Sequence, residues 1–248
     1  MEIEIHPLEP FLPAKSKLLM LGSFPPQKKR WSMEFYYPNL NNDMWRIYGI
    51  LFFNDKNHFL NSTLKSFCRE QIIDFLNEKG IALFDTASSI RRLQDNASDK
   101  FLEVVEATDV AALLRQLPEC KAIVTTGQKA TDTLRQQFDI EEPKVGDYSE
   151  FVFEGRALRL YRMPSSSRAY PLALDKKAAD WKKAVKELGM TWPQACDFLV
   201  WEGPVARKYN LSAVPYTVLI NPDGKVEALD LRGGQLVNTV KALLKKKK

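Results

Sequence analysis

The chain has 248 residues, 45% of them hydrophobic, so it can bury a substantial core and is expected to be globular rather than disordered. Its formal net charge of +5 and its pI of about 9.0 suit a polyanionic partner. Three scattered cysteines without a CxxC pair, and only two histidines, argue against a disulfide framework, a metal site, an iron–sulfur cluster and a Ser-His-Asp triad.

The first residues, MEIEIHP, lack the basic segment and apolar run of a secretory signal, so no signal peptide is predicted. No apolar stretch approaches the roughly 18 residues that a membrane-spanning helix needs. We therefore expect a cytoplasmic protein with no membrane partner and no cofactor, present as a monomer.

Apolar runs followed by Gly, Asp or Ser predict four strands, and stretches with helical spacing alternate with them. The strands cover residues 17–22, 80–85, 122–127 and 156–162. One helix is predicted to begin after residue 43, and three more are predicted at residues 109–117, 130–138 and 176–188. This alternation predicts an α/β fold, a three-layer α/β/α sandwich around a short parallel sheet. The loops at 23–24, 85–86, 126–127 and 165–167 all follow strands and should converge on one crevice.

The pattern changes after residue 188, which divides the chain into a domain at 1–188 and a segment at 189–248. Residues 205–209 have a short helical pattern. Two strands at 216–220 and 226–229 flank an Asn-Pro-Asp-Gly turn, and an amphipathic helix follows at 235–244. A small β-hairpin–helix appendage is therefore predicted at the C-terminus.

Three segments of the first domain resemble motifs of the uracil-DNA glycosylase superfamily: LGSFPP at 21–26, FYYPNLNNDMW at 35–45 and MPSSSRA at 163–169. Ser23-Phe24 stands where several of its families place Asp or Asn, and the serine loop lacks a histidine. The sequence is therefore most similar to the hypoxanthine- and mismatch-specific branch. The resemblance implies a monofunctional DNA glycosylase for base excision repair, which hydrolyses the N-glycosidic bond of uracil or hypoxanthine flipped out of DNA.

The same resemblance implies roles for individual residues. Asn42 and Ser23 are the catalytic candidates. Candidates for binding the base are Tyr37, Phe24, Asn39 and Asp85. Candidates for contacting DNA are Ser165, Ser166, Ser167, Arg168, Lys28, Lys29 and Arg30, with Arg91 and Arg92 in loops nearby. Simpler interpretations stay open, since asparagines before helices are usually caps and loop arginines are usually solvated.

The C-terminal segment resembles half of a thioredoxin-like domain, with Val214-Pro215 at the place of that family's cis-proline. The half that carries a CxxC motif is missing, and a dithiol needs its second cysteine. Two alternatives to a glycosylase remain. One is a catalytically inactive nucleic-acid-binding module of the same fold, and the other is a protein related to thiol redox chemistry through this segment.

Overall fold

The computed structural model describes residues 2–94 and 99–187, together with 217–220, 225–229, 231 and 233–245 of the C-terminal segment. The chain divides into two compact units, Met1–Gln194 and Ala195–Lys248. The predicted helix at 205–209, the Val214-Pro215 pair and the turn at 221–224 lie outside the described residues.

A five-stranded sheet forms the centre of the N-terminal unit. Its strands are β2 (Leu18–Gly22), β3 (Ile81–Asp85), β6 (Ala122–Thr126), β7 (Asp147–Phe153) and β8 (Arg156–Met163). They lie in the order β3-β2-β6-β8-β7, with β2, β3, β6 and β8 parallel and only β7 antiparallel. Every residue of β2, β3 and β6 is buried, as expected for strands covered on both faces.

Five helices of the described residues flank this sheet in the predicted α/β/α arrangement. They are α1 (Met44–Phe53), α2 (Arg69–Lys79), α3 (Val110–Gln116), α4 (Gln128–Arg135) and α5 (Leu174–Glu187). Aromatic side chains join α1 to α5, where the rings of Tyr48 and Trp181 meet edge to face at 5.4 Å. The four strands predicted from the sequence are present, whereas α2 and β7 were not predicted.

A second sheet of three antiparallel strands lies in the order β1-β4-β5. These strands are β1 (Ile3–Ile5), β4 (Ala87–Arg92) and β5 (Leu102–Ala107). The prediction that Arg91 and Arg92 lie in loops is wrong, because both lie on β4. Arg91 there pairs with Glu103, and the buried Arg92 pairs with Glu4.

Among its described residues, the C-terminal unit contains an antiparallel strand pair and one helix, as predicted. The elements are β9 (Val218–Ile220), β10 (Val226–Leu229) and α6 (Gly233–Lys245). Several apolar side chains of the strand pair are substantially exposed, with Ile220 at 56% and Val226 at 45%. Among the described residues, no helix is both long enough and apolar enough to cross a membrane.

Candidate active site

A pocket of about 100 Å³ lies at the carboxyl ends of β2, β3, β6 and β8, where the sequence predicted that four loops converge. Its lining includes most of the residues proposed from the sequence: Ser23, Phe24, Tyr37, Asn39, Asn42, Asp85, Ser165, Ser166 and Ser167. Engineered cavities of roughly 150 Å³ accommodate benzene, so this pocket suits a group of about one ring. It is smaller than the roughly 300–1,000 Å³ of typical cofactor sites.

One side of the pocket, here called the amide wall, consists of residues 39–43 and the serine loop 165–168. Main-chain hydrogen bonds hold these two segments together. The N–H of Asp43 donates to the carbonyl of Ser166 at 2.8 Å, and the N–H of Arg168 donates to the carbonyl of Asn41 at 3.1 Å. Because the bonds are main-chain, the spacing between the two motifs depends little on side-chain rotamers.

A buried ion cluster lies behind the amide wall. The carboxylate of Asp43 accepts a hydrogen bond from Arg168 Nε at 2.9 Å and lies 3.4 Å from Lys177 Nζ. Lys177 has no exposed surface, and its Nζ also donates to the carbonyl of Ser167 at 2.8 Å. Arg168, which has 48% of its side chain exposed, is therefore a partner of Asp43. Lys177 supports the serine loop from behind.

The side chain of Asn42 has a defined orientation. Its Oδ1 accepts a hydrogen bond from the backbone N–H of Met44, at 2.9 Å, at the start of α1. Since a backbone N–H can only donate, the amide oxygen must face the helix and the NH₂ group must face away from it. Asn42, next to the N-cap residue Asp43, thus satisfies the first N–H of α1, and as a residue that lines the pocket it still offers two donors. Its neighbour Asn39 uses its own Oδ1 to accept from Asn41 N.

Tyr37 has an unusual backbone conformation for a tyrosine, with φ of 49°. Such left-handed conformations of bulky residues are strained and concentrate at functional sites. Its ring packs edge to face against Trp45 at 6.0 Å, and its hydroxyl lies 3.2 Å from Thr126 Oγ1. Burial raises the pKa of the Tyr37 hydroxyl well above its usual 10, and the charge on Asp85 raises it further. A neutral phenol therefore lines the pocket.

The opposite side, here called the carboxylate wall, consists of Ser23, Asp85 and Asp99 with His6 behind them. Asp85 ends β3, and its Oδ2 lies 2.9 Å from His6 Nε2. Only a glycine fits opposite this carboxylate, because a Cβ on Gly22 would lie 2.3 Å from Asp85 Oδ1. The tight approach of the β2 backbone to Asp85 explains the glycine of the first motif.

Asp99, in the short 3₁₀ turn Asp99–Phe101, is the second acid of this wall. Burial raises the pKa of Asp99 above its usual 3.8, a hydrogen bond with Ser23 opposes that rise, and the charge on Asp85 adds to it. The wall therefore brings two carboxyl groups close together in a partly desolvated place, which is an arrangement typical of functional sites.

Phe24 and the basic group lie at the edges of the site. The Phe24 ring belongs to a small apolar cluster with Ala87, Ile90 and Leu102 and meets the His6 ring edge to face at 5.2 Å. The basic residues Lys28–Arg30 form a short exposed 3₁₀ turn that does not line the pocket. Lys28 there lies 3.4 Å from Glu34. The structure thus places these cations beside the crevice and not inside it.

Three residues of the site, His6, Asp99 and Lys177, were missed in the sequence analysis. His6 and Asp85 are 79 positions apart, and Lys177 and Asp43 are 134 apart, so no local spacing reveals these contacts. The only local signal was a histidine that directly follows the alternating Glu and Ile residues of the first segment. Among the described residues, no group of three or more His, Cys, Asp or Glu side chains is arranged to hold a metal ion.

The chain matches no protein-family model, and no curated protein matches it. It is similar to the solution NMR structure of a "putative Uracil DNA glycosylase" from Methanosarcina acetivorans, with a TM-score of 0.51 and 20% sequence identity. The match covers 76% of this chain and 99% of that chain. At this identity the similarity establishes the fold, so the α/β/α unit described above has the architecture of that protein.

Proposed function

We propose that the protein is a monofunctional DNA glycosylase that hydrolyses the N-glycosidic bond of a deaminated base, uracil or hypoxanthine, flipped out of DNA. The observation that carries the proposal is the pocket itself. A strained tyrosine, an asparagine with free amide donors and two carboxyl groups surround a space of single-ring size, at the strand ends of a sheet that has the fold of a glycosylase-like neighbour.

A base inside a duplex is out of reach of any pocket, so the nucleotide must rotate out of the stack. The flipped base would enter with its Watson–Crick edge towards the buried carboxylate wall and one face near Tyr37. The phosphates on either side would remain at the rim, where the serine loop 165–168 offers hydroxyl and main-chain donors. Lys28, Lys29 and Arg30 would add salt-sensitive attraction to the neighbouring backbone.

Hydrolysis breaks the bond between C1′ and the base nitrogen, and the electron pair leaves with the base. The sugar develops oxocarbenium character, as in glycoside hydrolysis, and water adds at C1′ to leave an abasic site. The adding water releases one proton to the solvent, and the departing base anion takes one up. The negative charge of Asp85 stabilises the positive charge that develops on the sugar. The NH₂ group of Asn42 donates to the departing base and stabilises the negative charge that collects on it, and the Ser23 hydroxyl supplies a second contact to the base.

The proposal excludes strand cleavage by a covalent route. A lyase needs a lysine amine that attacks C1′. Lys177 is the buried lysine beside the site, and its Nζ is engaged by Asp43 and the carbonyl of Ser167. We propose further that residues 1–188 form the glycosylase domain, with the thioredoxin-like segment 189–248 as a separate unit that contributes nothing to the chemistry.

The test is base release from duplexes that contain a single uracil, hypoxanthine, xanthine or mismatched thymine, with the unmodified duplex as control. Abasic sites should appear with uracil or hypoxanthine and become breaks only after alkaline treatment.

A specific observation favours the competing function of an inactive binding module: the Oδ1 of Asn42 is already used to accept from the first N–H of α1. Tight binding to the lesion duplexes without release of any base, with enzyme in excess at low salt, would establish that alternative.

A further inference from the structure

His6, whose side chain is buried behind the carboxylate wall, has no role in the proposed chemistry so far. It follows β1, which pairs with β4 at the edge of the second sheet. Only 4% of its side chain is exposed, and its ring packs against Phe24 and Phe84 with centroid distances of 5.2 and 4.5 Å. An imidazole in such surroundings needs hydrogen-bond partners for both ring nitrogens.

Both partners of His6 are present. Nδ1 lies 3.2 Å from the N–H of Leu8 and 2.8 Å from the carbonyl of Leu8, so it can either accept or donate at that position. Nε2 lies 2.9 Å from Asp85 Oδ2, and a carboxylate oxygen only accepts. Nε2 therefore carries a hydrogen in both the neutral and the charged imidazole, and His6 donates to Asp85 in either state.

This contact divides the two oxygens of Asp85 between two tasks. Oδ2 is occupied by His6, whereas Oδ1 accepts no hydrogen bond from any of the described residues. Oδ1 lies against Gly22 on the floor of the pocket, with Tyr37 Oη near the same point. The carboxylate wall thus presents one fixed acceptor, Asp85 Oδ1, while the NH₂ of Asn42 presents donors from the amide wall.

A base in the pocket thus meets an acceptor on one wall and donors on the other, and a lactam, the N–H beside a carbonyl that deamination creates, has a partner for each. We propose that His6 is a positioning residue, which fixes Asp85 so that its free oxygen accepts the ring N–H of a lactam base. The inference rests on the proposed function, because it names the base edge that the same pocket selects. Bases that present a bare ring nitrogen at this position meet the carboxylate lone pairs instead and are rejected.

Binding tests this inference independently of catalysis. The probes are duplexes with 2′-fluoro-deoxyuridine, whose single-ring base fits the pocket and in which the fluorine suppresses cleavage, and with the same nucleotide methylated at N3 so that the ring N–H is absent. We expect the full-length protein to bind the first probe more tightly by roughly ten- to a hundredfold, the range for a lost hydrogen bond to a charged group. Equal affinities for the two probes would overturn the proposal, whether or not the protein releases bases.

Variants at His6 separate positioning from packing. His6→Phe keeps the ring between Phe24 and Phe84 but removes the donor, so the ratio of the two affinities should fall towards one. His6→Gln, whose amide nitrogen reaches the place of Nε2, should restore most of the ratio. If His6→Phe does not fold, His6→Asn replaces it, because its shorter amide cannot reach Asp85. The ratio of the two affinities could instead stay unchanged in a folded His6→Phe or His6→Asn variant. The methyl group would then be excluded by shape alone, and His6 would have no positioning role.

Discussion

The two walls of the pocket are held in different ways. The amide wall is fixed by main-chain hydrogen bonds between residues 39–43 and 165–168 and by the ion cluster around Asp43. The carboxylate wall is built from side chains of three distant segments, and it places Asp85 and Asp99 close enough for mutual repulsion. The first arrangement stabilises the fold and the second costs stability, which is what a preorganised site requires.

The amide wall should show the largest effect on rate. Replacing Asn42 by Ala removes the amide donors and is expected to lower single-turnover base release by roughly two to three orders of magnitude, as with other positioned donors. DNA binding, measured by titration of a lesion duplex, should persist.

Asn42→Asp is the matched control for the cap of α1. It keeps an oxygen that accepts from Met44 N–H but lacks the NH₂ group, so we expect a stable and nearly inactive protein. Activity within a few-fold of the parent protein in both variants would move the catalytic role to Asn39 or Ser23.

The ion cluster should show the largest effect on stability. Lys177→Met leaves the carboxylate of Asp43 with Arg168 alone and frees the carbonyl of Ser167, so the free energy of unfolding should fall by about 3 kcal/mol. Denaturant unfolding measures the loss, with the exposed neighbour in Lys176→Met as control. Equal unfolding midpoints for the two variants would show that the main-chain bonds hold this wall without the cluster.

The contrast between the walls also explains what the sequence could predict. The strand ends and their convergence follow from apolar periodicity and parallel topology, because each strand alone contains the pattern. The contacts of His6, Asp99 and Lys177 depend on how distant segments meet, and no periodicity encodes them. The second sheet was missed for a related reason: β4, with the sequence ASSIRR, lacks the apolar alternation of a half-buried strand.

The carboxylate wall should show a smaller effect on stability, opposite in sign to that of the ion cluster. Since the pKa of Asp99 is raised in the folded protein, the ionised side chain destabilises the fold at pH values above that pKa. The cost decreases as the pH falls through the raised pKa and is absent below the usual 3.8. Asp99→Asn should therefore raise the melting temperature at neutral pH, and the gain should shrink on acidification.

The control for this variant is Asp139→Asn, at an exposed position, which should leave the melting temperature unchanged at both pH values. Base release should fall in Asp99→Asn, because the wall loses a carboxyl group from the pocket. A variant that is both more stable and fully active would place Asp99 outside the chemistry and leave Asp85 as the one working acid of this wall.

The smallest effect on rate is expected from the C-terminal unit, since the residues that form both walls belong to Met1–Gln194. A protein ending at Gln194 should release the base in single-turnover assays at nearly the rate of the full chain. Its solubility or melting temperature should differ, because β9 and β10 expose apolar side chains such as Ile220, and a strand pair of this size is marginal alone. If the folded truncation bound the lesion duplex and released no base, residues beyond Gln194 would have to complete one of the walls. The affinity of the truncated protein for the lesion duplex would then be compared with that of its Asn42→Asp and His6→Phe variants. The wall whose variant no longer changes the affinity is the incomplete one.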